Sequence, residues 1–110
     1  MTSENFQVDG NRLVVNADLH TSLAEELRKF CDRMLTESGG ELTIDLSAVK
    51  YIDSMSMGVL TYAWVQASGR GREINFLISP DIARMLETTG LNEVLHYRVA
   101  GEDAEDSPDK

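Results

Sequence analysis

The first part of the chain alternates between short apolar runs and polar breaks, which is the pattern of β-strands. Residues 5–17 contain two such runs, and Asp9-Gly10 separates them. An Asp-Gly pair in this position suits a tight type I′ turn. The sequence therefore predicts an N-terminal β-hairpin.

A helical period replaces this alternation between residues 18 and 38. Apolar side chains recur at intervals of four, three and four positions, which places them on one stripe of an amphipathic helix. These positions are Leu23, Leu27, Phe30 and Met34. Thr21 or Ser22 is expected to cap the start of this helix, and Gly39-Gly40 is expected to end it.

Two further strands are predicted, each followed by a helix. In residues 41–49 apolar and polar positions alternate, whereas residues 73–79 are nearly apolar on both faces, as in a sheet that helices cover on both sides. The helix after the first strand begins near Ser54 and ends at residues 68–72. The helix after the second strand spans residues 79–90.

The third helix carries clear start and stop signals. Ser79 is a suitable N-cap, Pro80 suits the first turn, and Gly90 suits the position just past the end. Residues 91–99 are ambiguous between a short helix and an edge strand. We interpret them as a short helical turn that leads into extended chain.

Strands that alternate with helices imply right-handed crossovers and a mostly parallel sheet. In such a sheet, the loop at residues 51–55 lies at the carboxyl end of a central strand, where open α/β sheets place their functional loops. The loop at residues 18–21 is expected at the same edge.

Composition and charge indicate the domain boundary and exclude one class of partner. The 110 residues carry a net charge of −9, of which residues 101–110 hold −4 through five acids and one base. We therefore expect one domain over residues 1–100 and an acidic, disordered tail over residues 101–110. A chain this acidic repels phosphate backbones, so no nucleic-acid partner is predicted.

Further features favour a cytoplasmic protein without membrane contact. No apolar run approaches the ~20 residues of a membrane span, and no charged-then-apolar leader is visible. Cys31 is the only cysteine, which excludes an internal disulfide and argues against a cysteine metal site.

The stretch at residues 51–60 holds the most informative polar side chains. Asp53 or Ser54 can accept a hydrogen bond from an N–H at the start of the second helix, a cap that stabilises a helix by ~1 kcal/mol. Alternatively, Ser54 is a phosphorylation site, because uncommitted N–H groups and the helix dipole favour an anion there.

No catalytic set is predicted. Ser54 or Ser56 could be combined with His20 or His96 in a triad, but the nucleophile elbow needs a glycine where Ser54 stands. The glycine-rich residues 68–72 match neither the phosphate loop nor the dinucleotide fingerprint. We therefore expect a protein that is not an enzyme, with no metal and no cofactor.

Three segments together resemble a known family. A strand ends in Asp45-Leu46-Ser47, an Ile52-Asp53-Ser54 turn precedes Gly58-Val59-Leu60, and Thr89-Gly90-Leu91 follows the third helix. From about Val14 to Leu95 the chain resembles a STAS domain of the anti-sigma factor antagonist type. The resemblance implies a single α/β domain with a mixed, mostly parallel sheet, an N-terminal β-hairpin and about four covering helices.

The resemblance also implies a cytoplasmic partner-switching protein. Its partner in that family is an anti-sigma factor serine kinase with a histidine-kinase-like ATPase fold, which phosphorylates the serine after the aspartate, here Ser54. The unphosphorylated antagonist holds the kinase, phosphorylation releases it, and a PP2C-type phosphatase reverses the modification. The implied partner surface comprises Asp18, His20, Thr21, Asp53, Ser54, Met55 and Ser56.

The chain departs from the family pattern beside this serine. The family commonly has Asp-Ser-Ser-Gly-Leu-Gly, where this chain has Met55 and Ser56 at the second serine and first glycine. Ser56 is therefore an alternative phosphoacceptor. Other roles of STAS modules also stay open, namely a stress-complex scaffold, another signalling module or part of a lipid-transport assembly, with or without nucleotide binding.

Overall fold

The computed structural model describes residues 3–37, 39–90, 95 and 97–101. Its elements are, in chain order, β1 (Phe6–Asp9), β2 (Arg12–Val15), α1 (Thr21–Glu37), β3 (Leu42–Leu46), α2 (Ser54–Gly69), β4 (Ile74–Ile78), α3 (Pro80–Thr89) and β5 (Tyr97–Val99). This order confirms the predicted hairpin and the alternation of helices and strands.

The described residues contain three helices, where about four were expected. The helical turn predicted at the start of residues 91–99 and the tail predicted over residues 101–110 fall almost entirely outside the described residues. The extended chain predicted before residue 100 is confirmed, because it forms β5.

The five strands lie in one sheet in the order of the chain, β1-β2-β3-β4-β5. β1 and β2 are antiparallel, and the other three pairings are parallel. Gly10 adopts a φ of 65° in the hairpin turn, which glycine tolerates without a steric cost. The mixed, mostly parallel sheet is therefore confirmed.

The sequential strand order explains where the helices lie. Each parallel crossover steps the same way across the sheet, and right-handed crossovers in one direction place their helices on the same face. Accordingly, Ile74, Phe76 and Ile78 are buried, whereas Asn75 and Leu77 between them are only half-buried. The prediction that helices cover both faces of β4 is thus wrong for the described residues. Because Leu77 is apolar, the alternation of buried and half-buried positions along β4 is not visible in the sequence.

One apolar core fills the space between the sheet and the helices. The predicted stripe of α1 points into it: Leu27, Phe30 and Met34 are buried, and the rings of Phe30 and Phe6 stack with their centroids 5.2 Å apart. Cys31 lies in the same core, where burial raises the pKa of its thiol to about 12. Cys31 is therefore a packing residue, because its thiol stays protonated and is unreactive.

The start of α3 is held by the predicted cap. The Ser79 hydroxyl accepts a hydrogen bond from the Ile82 N–H at 3.2 Å and donates one to the Val49 carbonyl at 2.5 Å. Because Ser79 is 5% exposed, water does not replace these contacts. One side chain thus joins α3 to the loop after β3.

We expect Ser79→Ala to lower the free energy of unfolding by about 1–3 kcal/mol, because it removes a cap and leaves a buried carbonyl without its donor. Ser68→Ala is the control, since Ser68 is exposed near the end of α2, and it should change stability by less than about 0.5 kcal/mol. Urea unfolding of both variants makes the comparison. Equal free energies of unfolding for Ser79→Ala and Ser68→Ala would contradict the role of Ser79.

Candidate functional site

Two loops run side by side at the carboxyl edge of the sheet. Leu19 and Ile52 form a parallel bridge, in which the Leu19 N–H donates to the Tyr51 carbonyl at 2.8 Å. The Asp53 N–H donates to the Leu19 carbonyl at 2.9 Å, and the Asp18 carboxylate accepts from the Lys50 N–H at 2.8 Å. These bonds bring the loop before α1 against the loop before α2, as the topology predicted.

Asp53 is the N-cap of α2. Its Oδ1 accepts a hydrogen bond from the Ser56 N–H at 2.8 Å, and its carbonyl accepts from the Met57 N–H at 2.9 Å. Its other carboxylate oxygen, Oδ2, accepts from the Thr21 hydroxyl at 2.5 Å. One carboxylate therefore fixes the start of α2 and ties it to the start of α1.

The capping prediction for α1 was wrong. The helix begins at Thr21, so His20 occupies the position before it, and the Leu23 N–H donates to the His20 carbonyl at 2.8 Å. The Thr21 hydroxyl donates to the Asp53 carboxylate on the neighbouring loop. A tertiary contact has overridden the local propensity of threonine for the N-cap.

The two serines after Asp53 lie in opposite environments. Ser54, the first residue of α2, is exposed, and within the described residues its hydroxyl has no hydrogen-bond partner. Ser56 is 0% exposed, and its hydroxyl lies 3.5 Å from the His20 carbonyl. Met55 between them is 56% exposed.

Two shallow grooves flank Ser54. The first, between α1 and α2, is an open groove of about 330 Å³. It is lined by Arg28, Ser54, Met55, Gly58, Val59 and Tyr62. The second, on the α3 side, has about 260 Å³ and is lined by Ile52, Asp53, Ser54, Met57, Met85 and Thr89. Ser54 thus lies between two largely apolar grooves and lines both of them.

The described part of the chain offers neither a metal site nor a membrane span. No group of three or more His, Cys, Asp or Glu side chains there could hold a metal ion. None of the helices described is long and apolar enough to span a membrane.

Comparison with known proteins identifies the family. Residues 3–97 match the family model described as "MlaB, STAS domain". The chain belongs to the STAS-domain family. The pair of loops around Asp53 therefore lies at the carboxyl edge of the sheet of a STAS domain.

Solved structures have the same fold. A crystal structure of a candidate anti-sigma factor antagonist from Thermotoga maritima, TM1081, is 22% identical with a TM-score of 0.72, over 92% of this chain and 91% of that one. An NMR structure of TM1081 is 21% identical with a TM-score of 0.72, over 100% of this chain and 92% of that one. At such identities the likeness concerns the fold alone.

The structure brings the expected interface residues of this STAS domain to one edge. Their exposure differs: Asp18, His20, Thr21, Ser54 and Met55 are exposed, Asp53 is half-buried, and Ser56 is buried. His20 is a surface histidine whose ring lies 5.1 Å from that of Tyr51.

The sequence reasoning missed the side chains that line the grooves beside Ser54. Tyr62 follows Ser54 by eight residues with Gly58 halfway, a spacing that keeps all three on one helical face. This spacing could have indicated the groove. Arg28 and Met85 come from other helices, and nothing in their local pattern points to Ser54.

The hydrogen bond from Thr21 is the main cause that lowers the pKa of Asp53, followed by the bond from the Ser56 N–H. Because the folded-state pKa is lowered, the stabilisation is complete above the unfolded-state pKa of ~3.9 and is lost as the pH falls through the folded-state pKa. Asp53 thus contributes to stability at neutral pH and not in strong acid.

We expect Thr21→Val to raise the pKa of Asp53, because it removes the hydroxyl and keeps the side-chain shape. The carboxyl ¹³C resonance of Asp53, followed by NMR from neutral to acid pH, measures this. Thr36→Val is the control on the same helix, since the Thr36 hydroxyl donates to the Asp32 carbonyl. A titration midpoint identical in wild type and Thr21→Val would refute the assigned cause.

Proposed function

We propose that this STAS protein is an anti-sigma factor antagonist that works by partner switching and has no catalytic activity. Unmodified, it binds an anti-sigma factor serine kinase with a histidine-kinase-like ATPase fold. Phosphorylation of Ser54 releases that partner, and a PP2C-type phosphatase restores binding. The observation that carries the proposal is the exposed hydroxyl of Ser54 next to a cap that Asp53 supplies.

Exposure supports Ser54 as the phosphoacceptor in preference to Ser56. A kinase must bring the hydroxyl to the γ-phosphate of ATP, which the exposed Ser54 permits without rearrangement of the fold. The Ser56 side chain is buried against the loop before α1, so phosphate there would force the Asp53–Thr21 contact apart.

The environment of Ser54 supports a switch that leaves the fold intact. A phosphate brings ~−1.5 to −2 charges, and the start of a helix tolerates negative charge. The cap is unaffected because Asp53 makes it. For a partner seated on the exposed Met55, however, the added charge would have to be desolvated, which weakens binding.

We expect phosphorylation to depend on Ser54 alone. In lysate of the source cells supplied with MgATP, wild type and Ser56→Ala should each gain the mass of one phosphate, whereas Ser54→Ala should gain none. Intact-mass spectrometry of the recovered chains gives the answer. A phosphate on Ser54→Ala would place the modification elsewhere.

We expect Ser54→Asp to fold normally and to lose the kinase partner. Circular dichroism checks the fold. Affinity capture with wild type and variant as baits identifies the proteins that bind wild type and do not bind Ser54→Asp. Ser68→Asp is the matched control, because it adds the same charge to an exposed serine of the same helix and should keep the partner. Retention of the kinase by Ser54→Asp would overturn the proposal.

A second role is favoured by the apolar side chains of α2. Met55, Tyr62 and Val65 are exposed on this helix, and such residues also suit a permanent subunit contact. As a STAS subunit of a stable assembly, for instance in lipid transport, the chain would gain no phosphate. Ser54→Asp would then release no kinase, so the same two experiments separate the roles.

A further inference from the structure

The groove between α1 and α2 contains a basic side chain next to the proposed phosphorylation site. Among the residues that line it, Arg28 carries the only formal charge, and Ser54 lies in the same lining. Gly58 has no side chain, and a Cβ placed there would meet no atom within 4 Å, so nothing at this position fills the space. The groove is therefore open between Ser54 and Arg28.

The relative direction of the two helices places Arg28 in the lining of the same groove as Ser54. The helices start together at the Thr21–Asp53 contact, and further along the guanidinium of Arg28 lies 4.9 Å from the ring centre of Tyr62. Arg28 is seven residues into α1, or ~10 Å along its axis. Since helical side chains lean toward the N-terminus, that of Arg28 leans toward the end where Ser54 lies.

The present contacts of Arg28 are weak enough to be exchanged. Its ion pair with Asp32 is long, at 3.9 Å, and both side chains are about half exposed. Surface ion pairs and exposed cation–π contacts of this kind contribute little to stability, because water and salt screen them. A phosphate offers a doubly charged acceptor that matches the guanidinium fork.

We propose that Arg28 is the intramolecular counter-ion of a phosphate on Ser54. This inference rests on the proposed function for the existence of the modification. In the phosphorylated state, the guanidinium leaves Tyr62 and bonds the phosphate across the groove. Arg28 then links α1 to α2 and covers Gly58 and Val59.

The consequence is that phosphorylation changes the partner surface in two ways. It adds charge at Ser54, and it moves Arg28 over a groove that is open in the unmodified chain. A partner that places an apolar side chain in the groove is therefore excluded by occupancy as well as by charge.

The test uses the full chain with phosphoserine placed at position 54 by genetic encoding, which requires no kinase. A ³¹P NMR titration gives the midpoint between the singly and doubly ionised phosphate. An adjacent cation favours the doubly ionised form and lowers that midpoint. We expect Arg28→Gln to raise it by about half a pH unit at low salt, with a smaller effect at high salt.

Lys29→Gln is the matched control. It removes the same charge from the neighbouring residue, which lines a different surface depression together with Asp32, Arg33 and Thr36. Its midpoint should stay close to that of wild type, and Arg28→Lys should fall between wild type and Arg28→Gln. Equal midpoints for Arg28→Gln and Lys29→Gln would overturn the inference. Failure to find a kinase in cells would instead count against the proposed function and leave this comparison valid.

Discussion

The carboxylate of Asp53 is the contact on which the functional edge of this STAS domain depends. One oxygen accepts the Ser56 N–H and starts α2, while the other accepts the Thr21 hydroxyl at the start of α1. The Leu19–Ile52 bridge and the bond from the Lys50 N–H to the Asp18 carboxylate join the same two loops, but neither reaches the start of α2. Because both oxygens are occupied, Asp53 is held ionised, and the backbone at Ser54 has a fixed direction toward solvent.

A second constraint is the sequential order of the strands. Parallel crossovers that all step in one direction put α1, α2 and α3 on the same face of the sheet. The starts of α1 and α2 therefore become neighbours at the carboxyl edge, and the two helices run parallel with a groove between them. The groove beside Ser54 is thus a product of topology, and Gly58 adds no side chain to its lining.

The sequence predicted the elements of this fold well, because its periodicities are strong and its turn residues clear. The hairpin at Asp9-Gly10 and the Ser79 cap were found from short-range pattern alone. It did not predict that one face of β4 is only half-covered, since Leu77 looks like a core residue. The role of Thr21 and the proximity of Arg28 to Ser54 were also missed. Both are contacts between distant segments, which local pattern does not encode.

The division of labour between Asp53 and Ser54 has a consequence for how this site can evolve. The residue that supports the helix start and the residue that faces solvent are adjacent but separate, so a change at position 54 leaves the supporting bonds in place. Foldability therefore imposes little selection on position 54. The residue at position 54 is therefore selected for the function of the surface. Substitutions of Asp53, in contrast, are selected first for their effect on the stability of the domain.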